Sequence, residues 1–323
     1  MTKKFDVICI GAALVDMIAK ISRYPEDDDE VFVSDLKLVS GGAAANTAAA
    51  CSTLGLNTAF IGKIGKDDQF GKKILKDFED VSVSTEYIKY STSHTTGSAY
   101  VALNQEDKNR RIFAHSGAAN YLSGEDIAKK EITSAKTIYL SSLKNIDSFI
   151  EAANIAQDID IPVLLNPGML IIDQGFNKIK RLLRKIDIFI LSDREFKTLL
   201  NLKEKSISKS NYIDNAKKLI DLDLDVIIIT LGKRGALLIT KEDSSIVPPF
   251  DVEKVADTTG AGDAFSAGFI YGFLQHMNFR FESLIDDVKL GNFVAGKCIE
   301  HLGARNGFPS EGEIEKFKNK INL

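Results

Sequence analysis

Asp257-Thr258-Thr259-Gly260-Ala261-Gly262-Asp263 runs directly into the apolar stretch Ala264-Phe265-Ser266-Ala267-Gly268-Phe269. The first N–H groups of a helix have no intrahelical acceptor, and the macrodipole is positive there, so such a start attracts an anion. Gly260 and Gly262 let a phosphate approach the backbone closely. Asp263 then stands beside an anion hole as a candidate base. Phosphoryl transfer to an alcohol needs both parts. Taken alone, the same run also reads as a glycine turn followed by a capped helix.

Other groups can be placed around it. Asp16 follows the apolar residues 7–10 and a short turn, which puts its carboxylate near the carboxyl end of a strand, where ligands of open α/β sheets bind. Gly41-Gly42 precedes a helical pattern carrying Asn46. A carboxylate accepts from neighbouring hydroxyls, and an amide both donates and accepts, so the set suits a polyol. Thr230-Leu231-Gly232-Lys233-Arg234-Gly235 offers a hydroxyl and bare backbone to a nucleotide's phosphates, or simply a hairpin into residues 236–240. Gly65-Lys66 is not a phosphate-binding Walker loop, because the glycine expected five positions earlier is absent and Asp67 follows the lysine. It reads as a tight turn into the helix from Asp68. His94, His115, His276 and His301 show no catalytic spacing. Arg110 and Arg111 are adjacent on a strand pattern, so at most one can face the site.

These groups need a scaffold. Short β-branched runs at 6–10, 58–61, 137–140, 163–165, 186–191 and 226–230 alternate with helical patterns at 43–54, 68–78, 146–157, 211–222 and 263–277. The alternation predicts a mostly parallel sheet covered on both faces. Segments 17–39 and 95–115 break it, the second as a hairpin of 98–103 and 109–114 about a turn at 104–108. Both are expected to form a small sheet projecting as a lid. Residues 203–210 read as a solvated, charged connection. The chain has 323 residues, 44% hydrophobic and 27% charged, with a net charge of −4, so it is an ordinary globular protein without a nucleic-acid or membrane footprint. The amino-terminal residues lack the apolar core of a signal peptide, and the widely spaced Cys9, Cys51 and Cys298 suit buried thiols, which predicts a cytoplasmic protein.

The run 257–263 resembles the second signature of the PfkB (ribokinase-like) family of carbohydrate kinases. Gly41-Gly42-Ala43-Ala44-Ala45-Asn46 and the segment 62–71 resemble its first, and the likeness spans about Asp6 to Pro309. The resemblance implies a single three-layer α/β/α domain over 1–323 with a mostly parallel central sheet. It also implies a protruding β lid from about 17–39 and 95–115, often used for dimerisation, so a homodimer is expected. It implies ATP as phosphoryl donor and Mg2+, with Asp263 as base and Gly260, Ala261 and Gly262 donating N–H groups to the transferring phosphoryl. By the same resemblance the sugar meets Asp16, Gly41, Gly42, Asn46 and Asn166. The nucleotide meets Thr230, Gly232, Gly235, Ser192 and Asn292, Glu195 organises Mg2+ through water, and Asp257 with the carbonyl of Thr259 forms a K+ site. Gly303-Ala304-Arg305 resembles the closing loop.

Two positions depart from the pattern: Ser192 stands where the family usually has asparagine, and Ala43 where ribokinase proper has lysine. A sugar with an acceptor hydroxyl, primary in the expected case, is therefore weighed against a nucleoside. The nucleoside would need a slot for its base, from Phe113, Tyr100 or Phe32. A sugar phosphate held by Arg110, Arg111 or a lysine, and a sensor without transfer, are further alternatives. A dinucleotide-dependent dehydrogenase fails because no Gly-x-Gly-x-x-Gly follows the first strand.

Overall fold

Alternation along the strands decides the architecture. In a computed structural model describing residues 3–106, 109–202 and 208–321, the chain begins β1 (Phe5–Gly11), β2 (Leu14–Ile21), β3 (Asp35–Gly41), α1 (Ala43–Thr53), β4 (Thr58–Ile61), β5 (Lys63–Gly65), α2 (Gln69–Asp80), β6 (Lys89–Ser91), β7 (Thr96–Asn104) and β8 (Arg110–Gly117). It continues α3 (Lys129–Ile132), β9 (Ala135–Ser141), α4 (Asp147–Gln157), β10 (Val163–Asn166), α5 (Gly168–Ile172), α6 (Phe176–Leu183), β11 (Ile188–Ser192), α7 (Asp193–Leu199) and α8 (Lys209–Ile220). It closes with β12 (Val226–Thr230), β13 (Ala236–Thr240), β14 (Ser244–Val247), α9 (Ala261–His276), α10 (Phe281–Ile299) and α11 (Glu311–Lys320). Parts of the expected turn at 104–108 and of the charged connection at 203–210 lie outside the described residues.

Eight strands form the main sheet in the order β14-β13-β12-β11-β10-β9-β1-β4. The six from β12 to β4 are parallel, and β13 and β14 add an antiparallel edge. Successive side chains of a strand point to opposite faces. Ile8, Ile10, Ile138 and Leu140 accordingly fill one core, while Val7, Cys9, Tyr139 and Leu164 fill the other. Both cores are apolar, which makes the expected three layers. All three cysteines are free and buried. Among the described residues no helix is long and apolar enough to cross a membrane.

The small sheet has the order β3-β2-β7-β8. Its strands reach further than the sequence pattern suggests: β2 starts at Leu14 and β3 ends at Gly41, so Asp16 and Gly41 belong to this sheet rather than to the end of β1. Alternation continues through the short turn because Val15 is fully buried while Leu14 and Asp16 are half-buried. Register then fixes two faces. Asp16 stands opposite Val39 and Ala99, and Leu103 opposite Arg110, all on one face; Met17, Leu38, Tyr100, Phe113 and Arg111 lie on the other.

The turn before α2 is structural, as its residues predict. Asp68 caps the helix by accepting from the Gly71 N–H at 2.6 Å, and its second oxygen accepts from the Thr96 N–H at 2.6 Å. Asp68→Ala should destabilise the protein by about 1–2 kcal/mol while leaving turnover within about twofold. Urea denaturation beside steady-state kinetics checks both, and a collapse of turnover in a folded variant would make this turn part of the site.

Candidate active site

Three donors converge on Asp257 and shape the turn ahead of α9. Its Oδ1 accepts from the Thr259 N–H at 2.9 Å and the Thr259 hydroxyl at 2.7 Å, and its Oδ2 accepts from the Gly303 N–H at 3.0 Å. Burial works against ionisation, but these bonds and the charge of Arg110 hold the carboxyl below its ordinary value. Gly260 follows with φ 81°, a left-handed conformation that favours glycine, and a Cβ there would lie 2.7 Å from the Ala304 Cα. Gly262 differs: a Cβ on it would project into open space. The first intrahelical bond of α9 is Ala264 N–H to Gly260 carbonyl at 2.9 Å, and the Ala261 N–H makes only a 3.3 Å contact with the Thr258 carbonyl. The helix start therefore faces an opening with its dipole.

Asp263, the third residue of α9, is half-buried. Its Oδ2 accepts from Asn46 Nδ2 at 2.9 Å, and Asn46 Oδ1 accepts from Arg305 Nε at 2.8 Å. Burial pushes the Asp263 carboxyl up to about 7; the Asn46 bond and the Arg305 charge pull it down, and Glu195 adds to the rise. Asn46 sits in the first turn of α1, just after Gly42, whose φ is 96° and whose Cβ would meet the Ala12 carbonyl at 2.4 Å. A Cβ at Gly41 would meet Asp16 Oδ2 at 2.4 Å, so the glycine makes room for that carboxylate. Burial raises Asp16 and Arg305 opposes the rise.

On the far side, Ser192 and Thr230 are register partners at the ends of β11 and β12. Gly232, with φ 59°, leaves open space beside it, whereas a Cβ at Gly235 would strike the Val247 carbonyl. The first lines a surface and the second holds the hairpin. Ser192 closes a reciprocal cap on α7: its N–H and hydroxyl donate to Glu195 Oε2 at 2.7 and 2.8 Å, and its Oγ accepts from the Glu195 N–H at 3.3 Å. The serine thus has a role an asparagine would fill differently, and it draws one carboxylate oxygen of Glu195 inward.

Two amides are committed to the protein itself. Asn292 donates to the Pro248 carbonyl at 2.7 Å, bracing the chain after β14. Asn166 donates to Ser266 Oγ at 3.2 Å, and Ser266 in turn donates to the Gly262 carbonyl at 3.0 Å, so Asn166 supports the first turn of α9. Of the arginine pair, Arg110 donates to the Thr259 hydroxyl at 3.2 Å, whereas Arg111 stacks on Tyr24 with its guanidinium carbon 4.0 Å from the ring centroid. Tyr100 and Phe113 share the Arg111 face, away from Asp16, so they do not form a base slot beside it. Among the described residues no three His, Cys, Asp or Glu side chains gather as a metal cluster. Arg305 is the residue a reading by motif passes over; its only signal is an arginine directly after Gly303-Ala304.

A carboxylate beside an open helix start, at the carboxyl edge of a parallel sheet, is an arrangement that phosphoryl transfer to an alcohol needs. Comparison with known proteins agrees. The family model described as pfkB family carbohydrate kinase matches residues 4–311, and the chain belongs to this family. An uncharacterised sugar kinase of Archaeoglobus fulgidus is 32% identical over 261 residues, covering 80% of this chain and 97% of that protein. Ribokinase of Staphylococcus aureus is 29% identical over 319 residues, covering 98% and 100%. The solved Arabidopsis thaliana ribokinase complexed with ribose and ATP shares the fold, with a TM-score of 0.86, 23% identity and 98% coverage of each chain.

The two glycines of the turn should separate by substitution. Gly262→Ala lies in a helix with space for its methyl group, so stability should hold or rise by up to about 1 kcal/mol while turnover falls at least tenfold. Gly260→Ala should instead lose stability. Full turnover in Gly262→Ala would show that no phosphate approaches this backbone.

Proposed function

We propose that the protein transfers the γ-phosphoryl group of ATP to a hydroxyl of a sugar, primary in the expected acceptor, with Asp263 as base. The carrying observation is the placement of Asp263 at the open start of α9 with Asn46 on its carboxylate, where burial pushes that carboxyl up to about 7. In this reading Asp263 takes the hydroxyl proton as the acceptor oxygen attacks the γ-phosphorus. The N–H groups of Gly260, Ala261 and Gly262 offset charge on the transferring group. Asp16 and Asn46 hold neighbouring hydroxyls, with Gly41 and Gly42 allowing close approach. Thr230, Gly232 and Ser192 line the nucleotide, Gly235 and Asn292 shape its wall, and Asn166 braces α9. Mg2+, when bound, neutralises phosphate charge, with Glu195 reaching it through water. K+ would sit against Asp257 and the Thr259 carbonyl, which the Cys298 thiol approaches at 3.8 Å.

Asp263→Asn should fold and lose at least about 10²–10⁴-fold in turnover; a variant with full activity would sink the assignment. Only the ionised carboxylate is a base, so kcat/KM should rise with pH along a limb centred near 7 and fall away below it. A flat profile from pH 5 to 8 would remove Asp263 from that role.

Acceptor choice rests on the Asp16 face of the small sheet, which we read as a lid. That face carries Val39, Val101 and Ile112 rather than aromatic rings, which favours a sugar over a nucleoside. Arg110 is on the same face and reaches the phosphate turn, which supports a phosphorylated sugar as the second reading. The outer face exposes Phe113 by 68%, and the neighbouring loop exposes Phe32 by 86%, apolar area that a second copy of the chain would cover in a homodimer. A screen of sugars, sugar phosphates and nucleosides with ATP and Mg2+, in K+ and in Na+, should find the highest kcat/KM with a sugar in K+. Preference for a nucleoside overturns the acceptor, and equal rates in the two salts overturn the K+ site.

A further inference from the structure

Arg305 has no part in the reaction as described above, yet it lies among the groups that do. Its Nε donates to Asn46 Oδ1 at 2.8 Å, on the amide whose other end donates to Asp263 at 2.9 Å. Its guanidinium carbon lies 5.9 Å from the ring centroid of the buried Phe78, and its Nη2 is enclosed without a hydrogen-bond partner among the described residues. Burying a guanidinium is costly unless its donors are met. An arginine held here with a donor unmet is poorly explained by stability alone.

Guanidinium only donates, and a carboxylate only accepts. Asn46 lies between them, so a single orientation of its amide satisfies both: oxygen to Arg305, nitrogen to Asp263. Without Arg305 the amide could turn its oxygen toward a hydroxyl or solvent, and the base would lose its fixed donor. We propose that Arg305 is a positioning residue for the base, orienting the Asn46 amide toward Asp263 and holding a positive charge between the acceptor carboxylate Asp16 and Asp263. This rests on the reading of Asp263 as base.

The surrounding charges agree in direction. Burial lowers Arg305 to about 10, while Asp77 of α2, Asp263 and Asp16 favour its charged form. Asp263 is faced by Asn46 from α1, Glu195 from α7, Tyr139 from β9, Cys298 from α10 and Arg305 from the closing loop. Of these only Arg305 is cationic, so its removal leaves burial and Glu195 opposed by one amide bond.

The test follows Asp263 directly, in the protein without nucleotide, by the 13C shift of its carboxyl carbon against pH. Arg305→Gln should move that titration upward by about one unit, move the acid limb of kcat/KM with it, and lower kcat at least tenfold with a smaller change in acceptor KM. Arg305→Lys, which keeps the charge but not the planar Nε donor, should return the titration close to the parent while kcat stays low. An unmoved titration in Arg305→Gln overturns the proposal. Should that variant fail to fold, parental kcat in folded Arg305→Lys overturns it equally. Failure of the base assignment looks different: Asp263→Asn would then stay active whatever Arg305 does.

Discussion

The site depends on one carboxylate, Asp257, that lies ahead of the open helix start. Asp257 gathers the N–H and hydroxyl of Thr259 and the N–H of Gly303, which joins the turn before α9 to the loop after α10. Gly260 packs so closely on Ala304 that no side chain fits between them. The two loops therefore share one seam. One residue beyond it, Arg305 meets Asn46, and Asn46 meets Asp263. Because Asp257 directs its oxygens to Thr259 and Gly303, the N–H groups of the first α9 turn are left to face the opening.

Asp257 and Asp263 show how burial and local donors together decide protonation. Burial opposes ionisation at both, and far more strongly at Asp263. Asp257 accepts three bonds from the chain and stays below its ordinary value, whereas Asp263 accepts one from a side-chain amide and rises to about 7. The first is thereby fixed as an anion that organises structure, and the second is free to exchange a proton near neutrality.

What the sequence revealed divides along physical lines. The parallel core was legible because strands buried on both faces need unbroken apolar runs, as in Val226–Thr230. The helix start at Gly260 was legible because glycine placement and an acid at a fixed offset are local signals. The commitments of Asn166 and Asn292 were not, since each amide is met by groups distant in sequence, Ser266 in one case and Pro248 in the other. The contact of Arg305 with Asn46 stayed hidden for the same reason, although the closing loop was recognised: the two lie 259 positions apart. The small sheet was half legible, its hairpin by pattern but its first strand not, because two alanines after Gly11 hide where β2 begins.

That sheet is also where parity decides chemistry. A strand shows alternate residues to opposite faces, so a shift of one position exchanges every side chain that a face presents. Asp16 and Arg110 share a face through the continuous pairing of β2, β7 and β8, and both act toward the same region, Asp16 beside Arg305 and Arg110 on Thr259. Tyr100 and Phe113 are register partners and therefore lie together on the other face. An acceptor recognised from the Asp16 face accordingly meets a carboxylate, a guanidinium and β-branched side chains, a surface suited to hydroxyls and anionic groups more than to a stacked ring. The aromatic residues are left to the outer face of the four-stranded sheet.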